Sequence, residues 1–547
     1  MTTFSSLERQ TVVDQLQAEA FDVVVIGGGI TGAGIALDAV TRGLKTALIE
    51  MQDFASGTSS RSTKLVHGGL RYLKQFEMKE VAELGKERAI VYENGPHVTT
   101  PERMLLPFHK GGTFGSFSTS IGLKVYDFLA GVKKSERRTM LTVAQTLKKA
   151  PLVKREGLQG SGMYVEYRTD DARLTIEVMK AAAEKGATII NYATAEGFVY
   201  DEQNHISGVR VNETIGDQKF TIQAKKVVNA AGPWVDEVKT MDGASKGKHL
   251  ILSKGIHLVF DQSVFPLQQA IYFDTTDQRM IFAIPREGKT YVGTTDTFYE
   301  GDPKEMQMTK EDRNYILNAI QFMFPDVRVS KEDVESSWAG VRPLVHEEGK
   351  SPSEISRKDE VWVSDKGLIT IAGGKLTGYR KMAETVVNKI VQQLTNETGR
   401  KFPRSITKHF PISGGDIGGS ANYSQFIGQA IERGRKLGFT ERESKHLAAL
   451  YGSNVDKVFN IPFEPVSDMP RILYVKLRYA IEHEMTMKPA DFFVRRTGDL
   501  YFHIDNVYAG KSDVLEEMTA ILQWTEGQRT QAERELDEEI RKATTVK

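Results

Sequence analysis

The chain has 547 residues, with 72 basic and 72 acidic side chains and a formal net charge of zero. At the usual ~100–200 residues per domain there is room for about three cores, and no global basic field exists to attract nucleic acid, so any anion site must be local. Cysteine is absent, which excludes disulfides, zinc fingers, iron–sulfur clusters and thiol catalysis, and no metal site is expected.

The opening MTTFSSLERQTVVDQLQAEA has no basic region followed by an apolar one, so no secretory signal is expected. No stretch reaches the roughly 18 consecutive apolar residues of a bilayer span. An intracellular globular protein is predicted, one that could still lie on a membrane surface. Residues 1–20 read as a polar helical arm. FDVVVIGGGITGAGIALDAVTRGLKTALIE (21–50) reads as strand, tight glycine turn, helix, strand. Gly27-x-Gly29-x-x-Gly32 follows the first strand, and Glu50 ends the second. The first glycine permits the turn, the second lets a pyrophosphate approach the backbone, and the third lets the helix pack closely. Glu50 accepts from a ribose hydroxyl. Gly27, Gly29, Thr31, Gly32 and Glu50 are thus assigned to a dinucleotide.

GTSSRSTKLVHGGLRYL (57–73) follows, with Arg61, Lys64, His67 and Arg71 set among small hydroxyl residues. It predicts a local anion site, although Arg61 itself receives no role and reads as solvated. Residues 75–165 mix helical and irregular segments. From 171 the βα alternation returns, 250–345 is strand-rich with a helical insert near 309–323, and 362–391 is again strand, glycine turn, helix. Beyond 395–405 the sequence is charged and helix-periodic to the end. Within it Glu482, Asp491, Arg495 and Arg496 read as an ion-pair network, and no D-x-[DN]-x-[DN]-G calcium loop occurs.

Two later turns favour FAD over a nicotinamide cofactor. VVNAAGPW (227–234) brings Ala231 and Gly232 to the same ligand. ITIAGGKLTGYRKMAE (369–384) supplies Gly373, Gly374, Lys375, Leu376 and Thr377 before a second helix N-terminus. A flavin needs that positive end where negative charge accumulates on reduction.

The ordered set GGGITGAG, TSSRSTKLVHGGLRYL, DDARL, VVNAAGPW, GTTD, AGVRPL and GGKLTGYRKMAE resembles the FAD-dependent, respiratory glycerol-3-phosphate dehydrogenases, quinone-linked members of the glycine-oxidase-like superfamily. The match runs from about residue 20 to 395, and the C-terminal region resembles the family's cap domain. The resemblance implies an α/β fold in three parts. A Rossmann-like FAD-binding domain (1–75, 166–250, 346–395) is interleaved with a mixed-sheet substrate domain (76–165, 251–345) and followed by an all-α domain (396–547). It implies that Arg71, Tyr72, Arg342, Arg357 and Lys375 clamp the phosphate of glycerol 3-phosphate, for which guanidinium forks are suited. It also places Thr58, Ser59, Thr63, Lys64 and His67 on the flavin-contacting loop.

Oxidising a secondary alcohol requires removal of the hydroxyl proton and hydride transfer to flavin N5. His257 is the expected general base, with Arg342 lowering the alkoxide's energy and Thr295 on the substrate side; the alternative for His257 is a core-facing strand residue. The expected acceptor is a membrane quinone, reached from the inner face of the plasma membrane by a peripheral protein. Ile121, Val125, Phe128 and Leu129, followed by Lys133, Lys134, Arg137 and Arg138, form an apolar face with a basic end suited to that surface. A core-facing helix explains the same pattern equally well. A homodimer is open. The competing activities are an oxygen-using oxidase, a same-fold enzyme acting on an amino or 2-hydroxy acid, and a non-catalytic dinucleotide-fold binding protein.

Overall fold

The computed structural model describes residues 4–67, 78–113, 136–243, 247–347 and 358–547. Its strands divide between two sheets. The first runs in the order Glu360–Val363, Ile369–Ala372, Gln218–Asn229, Ala20–Ile26, Thr46–Ile49, Thr188–Ile190. Its central strands pair in parallel. Val23, Val24 and Val25 are wholly buried, as a run apolar on both faces demands. Helix Ile30–Thr41 packs between Asp171–Glu184 and Tyr379–Thr398. The antiparallel strands Ala193–Tyr200 and Ile206–Glu213 extend this sheet from Gln218–Asn229.

The second, ten-stranded sheet is mostly antiparallel and is built largely from 99–169 and 248–347. The chain enters it earlier than the residue 75 boundary read from the sequence, because Leu65 and Val66 pair with Arg168 and Tyr167. The 57–67 loop therefore spans from one sheet to the other.

The C-terminal region is helical, from Tyr423–Lys436 to Glu526–Thr544. Its core residues Tyr451, Tyr479, Phe493 and Val514 are continuous with Val259, Tyr291 and Trp338 of the second sheet. Ser336 Oγ and Ser337 Oγ donate to the carbonyls of Tyr501 and Ala543, fastening the helices to that sheet. Among the described residues no helix is long and apolar enough to cross a membrane. The architecture is α/β, a Rossmann-like unit interleaved with a mixed sheet and followed by an all-helical region.

Candidate active site

A cavity of about 340 Å³ lies along the carboxyl ends of the parallel strands and against one face of the second sheet. At one end is the glycine turn. Gly27 has φ +116°, and a Cβ there would lie 2.5 Å from Ala230 O. A Cβ on Gly32 would lie 1.9 Å from Gly27 O, so the helix sits directly on the turn and Gly32 acts from behind the cavity wall. Glu50 closes the turn: Gly28 N donates to Oε2 at 2.6 Å and Gln52 N to Oε1 at 2.9 Å. Burial raises the Glu50 carboxyl above its ordinary pKa, against the lowering by these two amides.

Gly27, Gly29, Thr31, Glu50, Thr58, Ser59, Thr63, His67, Ala231, Gly232, Gly373, Gly374, Lys375, Leu376 and Thr377 all line this cavity. Ser59 Oγ accepts from Ile30 N at 3.0 Å, at the start of the helix. Thr58 Oγ1 is turned the other way, donating to Val341 O at 2.7 Å. The His67 amide donates to Thr377 Oγ1 and the Thr377 hydroxyl donates back to His67 O, both at 3.0 Å. The loop and the second glycine turn are thereby tied together. Burial, and then Lys375, Arg88 and Arg342, push the His67 pKa down to about 3, so its ring is neutral.

Lys64 does not reach the cavity. Its ammonium is buried, 2.6 Å from Asp171 Oδ1 and 3.0 Å from Ser60 O, and sits over the Trp338 ring at 5.3 Å. A cation on a loop is read from sequence as exposed to ligand; here a helix N-terminus 107 residues away has claimed it. Thr295 is also displaced from its expected place. It is buried, accepts from Ile256 N at 3.1 Å through Oγ1, and leaves its neighbour Thr294 on the cavity wall. Arg71, Tyr72 and Arg357 lie outside the described residues, as do Ile121, Val125, Phe128, Leu129, Lys133 and Lys134 of the apolar–basic segment; only its end, with Arg137 and Arg138, is described.

The other end of the cavity is made by two paired strands, Lys248–Asp261 and Ser336–Glu347. Their register sets Ser253 opposite Arg342, Gly255 opposite Gly340 and His257 opposite Trp338. Alternation puts all six on one face. The two glycines leave that face bare, and the backbone of Arg61 lies against it: a Cβ on Gly340 would meet Arg61 O at 2.4 Å. This facing glycine pair is a signal that SKGIH and AGVRPL carried, visible only once the register is known. Arg61, expected in solvent, instead lines the cavity and makes no side-chain hydrogen bond or ion pair among the described residues.

The His257 ring stacks on Trp338, centroids 4.7 Å apart at 12°. Its Nε2 is 3.1 Å from Thr63 Oγ1, and its buried Nδ1 has no partner among the described residues. Burial first, then Arg342 and Lys64, hold its pKa well below 6.5. Arg342 is 41% exposed, with Nη1 3.4 Å from Asp296 Oδ1 and Nη2 3.4 Å from Thr294 Oγ1. Ser253 Oγ also donates to Asp296.

These residues fit FAD. A carboxylate stands beside a bare glycine turn at a helix N-terminus, and a second turn, Gly373 and Gly374 at φ +78° and +79°, leads into Tyr379–Thr398. Gly232 has open space where a Cβ would stand.

The model of the FAD dependent oxidoreductase family matches residues 22–380, and that of the C-terminal domain of alpha-glycerophosphate oxidase matches 405–529. The aerobic glycerol-3-phosphate dehydrogenase of Bacillus subtilis is 60% identical over 96% of this chain and 95% of its own length. That of Staphylococcus haemolyticus is 58% identical over 99% and 98%. Among solved structures, the glycerol-3-phosphate dehydrogenase of Bacillus halodurans, complexed with FAD, superposes with a TM-score of 0.86 at 49% identity, covering 99% of both chains. The FAD-bound L-alpha-glycerophosphate oxidase of Mycoplasma pneumoniae shares the fold, with a TM-score of 0.56 at 17% identity over 71% of this chain and 97% of that one. The chain belongs to the aerobic glycerol-3-phosphate dehydrogenase family of FAD-dependent oxidoreductases.

Proposed function

We propose that the protein oxidises sn-glycerol 3-phosphate to dihydroxyacetone phosphate and passes the electrons to a membrane quinone. The observation that carries this reading is the pairing of a neutral histidine, His257, with the cations Arg342 and Lys375 in a cavity that also holds the dinucleotide turn. Gly27, Gly29, Ser59 and Glu50 would hold the adenosine and pyrophosphate; Ala231, Gly232 and the 373–377 turn would hold the flavin. FAD held there would supply the two-electron acceptor for the hydride of the substrate alcohol.

The chain's own work is binding and proton transfer. Arg342 and Lys375 anchor the phosphate dianion. Arg71, Tyr72 and Arg357 are assigned to that clamp by resemblance. His257 takes the C2 hydroxyl proton on its ring, whose orientation is set by Trp338 and by Thr63 at Nε2. Its depressed pKa keeps the ring unprotonated at neutral pH. The 121–138 sequence pattern supports contact with the inner face of the membrane, where quinone resides.

Anaerobic addition of sn-glycerol 3-phosphate to the FAD-loaded protein tests the reading. Flavin bleaching is expected, followed by faster re-oxidation with a soluble quinone analogue than with oxygen. No bleaching with this substrate, but bleaching with an amino or 2-hydroxy acid, overturns the substrate; faster re-oxidation by oxygen overturns the acceptor.

A further inference from the structure

Between Glu50 and Ser59 the chain makes a loop whose start and middle both grip Gly28. Glu50 Oε2 accepts from Gly28 N at 2.6 Å, and Ala55 N donates to Gly28 O at 3.0 Å. Phe54 packs beneath the same glycine, 2.8 Å from where its Cβ would stand. Glu50, Met51, Ser56, Gly57, Thr58 and Ser59 face the cavity, whereas Asp53 is buried behind it.

Asp53 is held by the far end of the chain. Arg496 donates through Nη1 to Oδ2 at 2.7 Å and through Nη2 to Oδ1 at 2.9 Å, and Arg495 Nε donates to Oδ2 as well. Asn191 Nδ2 completes the carboxylate at 3.0 Å. Both arginines lie on a single π-helical turn, Asp491–Arg496, a rare geometry that aims successive side chains at one partner and tends to mark functional positions. Asp491 braces that turn by accepting from Arg495 and from the amides of Met487 and Lys488. Burial alone would raise the Asp53 pKa; Arg496 and Arg495 bring it down to about 2. The Asp53 carbonyl in turn accepts from Ser56 Oγ at 2.7 Å, at the residue where the cavity wall resumes.

We propose that Arg495 and Arg496 are positioning residues for the cofactor: by fixing Asp53 they fix the 50–59 loop around Gly28, so that FAD binding and docking of the 484–502 segment are thermodynamically coupled. The inference rests on the reading that the cavity takes FAD. Coupling of this kind is reciprocal, so FAD must tighten the docked segment as much as the docked segment tightens FAD.

The test measures FAD dissociation constants of the full-length apoprotein, without substrate, for wild type, Arg495→Lys, Arg496→Lys and Asp53→Asn. Lysine keeps the charge and loses the guanidinium fork. FAD affinity is expected to fall at least tenfold in Arg496→Lys. With FAD saturating, the KM for sn-glycerol 3-phosphate is expected to stay within twofold. Hydrogen exchange across 491–502 of the wild type, with and without FAD, is the second measurement, and slower exchange with FAD is expected. A folded Arg496→Lys protein with FAD affinity within twofold of wild type overturns the proposal. So does unchanged exchange at 491–502, which decides the matter even if the variants do not fold. A wild-type protein that fails to take up FAD refutes the functional reading instead.

Discussion

Lys64→Met separates two accounts of the basic loop. If Lys64 serves the flavin, its loss should weaken FAD binding in a protein of ordinary stability. The structure gives it another task. Its ammonium lies 2.6 Å from Asp171 Oδ1, and both side chains are almost wholly buried. Asp171 Oδ2 accepts from Ser62 N at 3.0 Å and Ser62 Oγ at 2.7 Å, so the carboxylate also shapes the loop. Lys64 itself has φ +56° and sits over Trp338 and Tyr501 at 5.3 and 5.7 Å, joining loop, sheet and C-terminal helices. Removing one partner of a buried pair leaves an uncompensated charge and costs about 3–5 kcal/mol. At roughly 2–4 °C per kcal/mol for a large domain, that is a fall of about 6–20 °C in melting temperature. The double variant Lys64→Met/Asp171→Asn removes both charges and should recover much of the loss, whereas independent effects would add. Thermal unfolding of the FAD-loaded proteins, with FAD affinity measured below the transition, makes the comparison. A Lys64→Met protein of wild-type stability that has lost FAD affinity would refute the reasoning.

Four further outcomes are expected. His257→Asn should slow flavin reduction in single-turnover stopped flow by roughly 10²–10⁴ while leaving substrate affinity nearly unchanged; reduction at the wild-type rate removes His257 as the base. Arg342→Ala, losing charge-assisted hydrogen bonds of about 1.5–3 kcal/mol, should lower kcat/KM for the phosphorylated substrate by roughly 10–100-fold, with activity on unphosphorylated glycerol much less affected. Gly32→Ala puts a methyl 1.9 Å from Gly27 O; overpacking of that kind costs ~1–3 kcal/mol or more, and the flavin content of the purified protein should fall. His97 is buried with both ring nitrogens unpartnered among the described residues, and burial, then Arg173 and Lys180, push its pKa down to about 3. The unfolded chain binds that proton near pH 6.5 and the folded chain does not, so stability is full above 6.5 and falls as pH drops from there towards 3. The slope is up to about 1.4 kcal/mol per pH unit for each such histidine. His97→Asn should flatten the urea-midpoint profile below pH 6.5 by about one proton, and an unchanged slope rejects the assignment.

The nucleotide turn was legible in the sequence because its chemistry is local. Gly27, Gly29 and Gly32 are required by a bend and a close packing contact within six residues, and Glu50 ends the adjacent strand of the same βα unit. The second turn at Gly373 and Gly374 was legible for the same reason, and so was the helical character of the chain beyond 405. Resemblance contributed Arg342, and the chemistry of alcohol oxidation put forward His257; no local pattern announces either role.

Where the remaining charges and hydroxyls go depends on segments that are remote in the chain. The 57–73 stretch showed its cations but not their partners: Lys64 goes to Asp171, Thr58 to Val341, and Arg61 lies over Gly340. Of the four residues read as one C-terminal network, Glu482 pairs with Arg478 on the helix surface, whereas Asp491, Arg495 and Arg496 close around Asp53, 442 residues from Arg495. Turn geometry is a property of a few consecutive dihedrals, so sequence by itself determines it. The partner of a buried charge is whichever opposite charge the packing of sheets and helices delivers to it, and only the tertiary structure decides that.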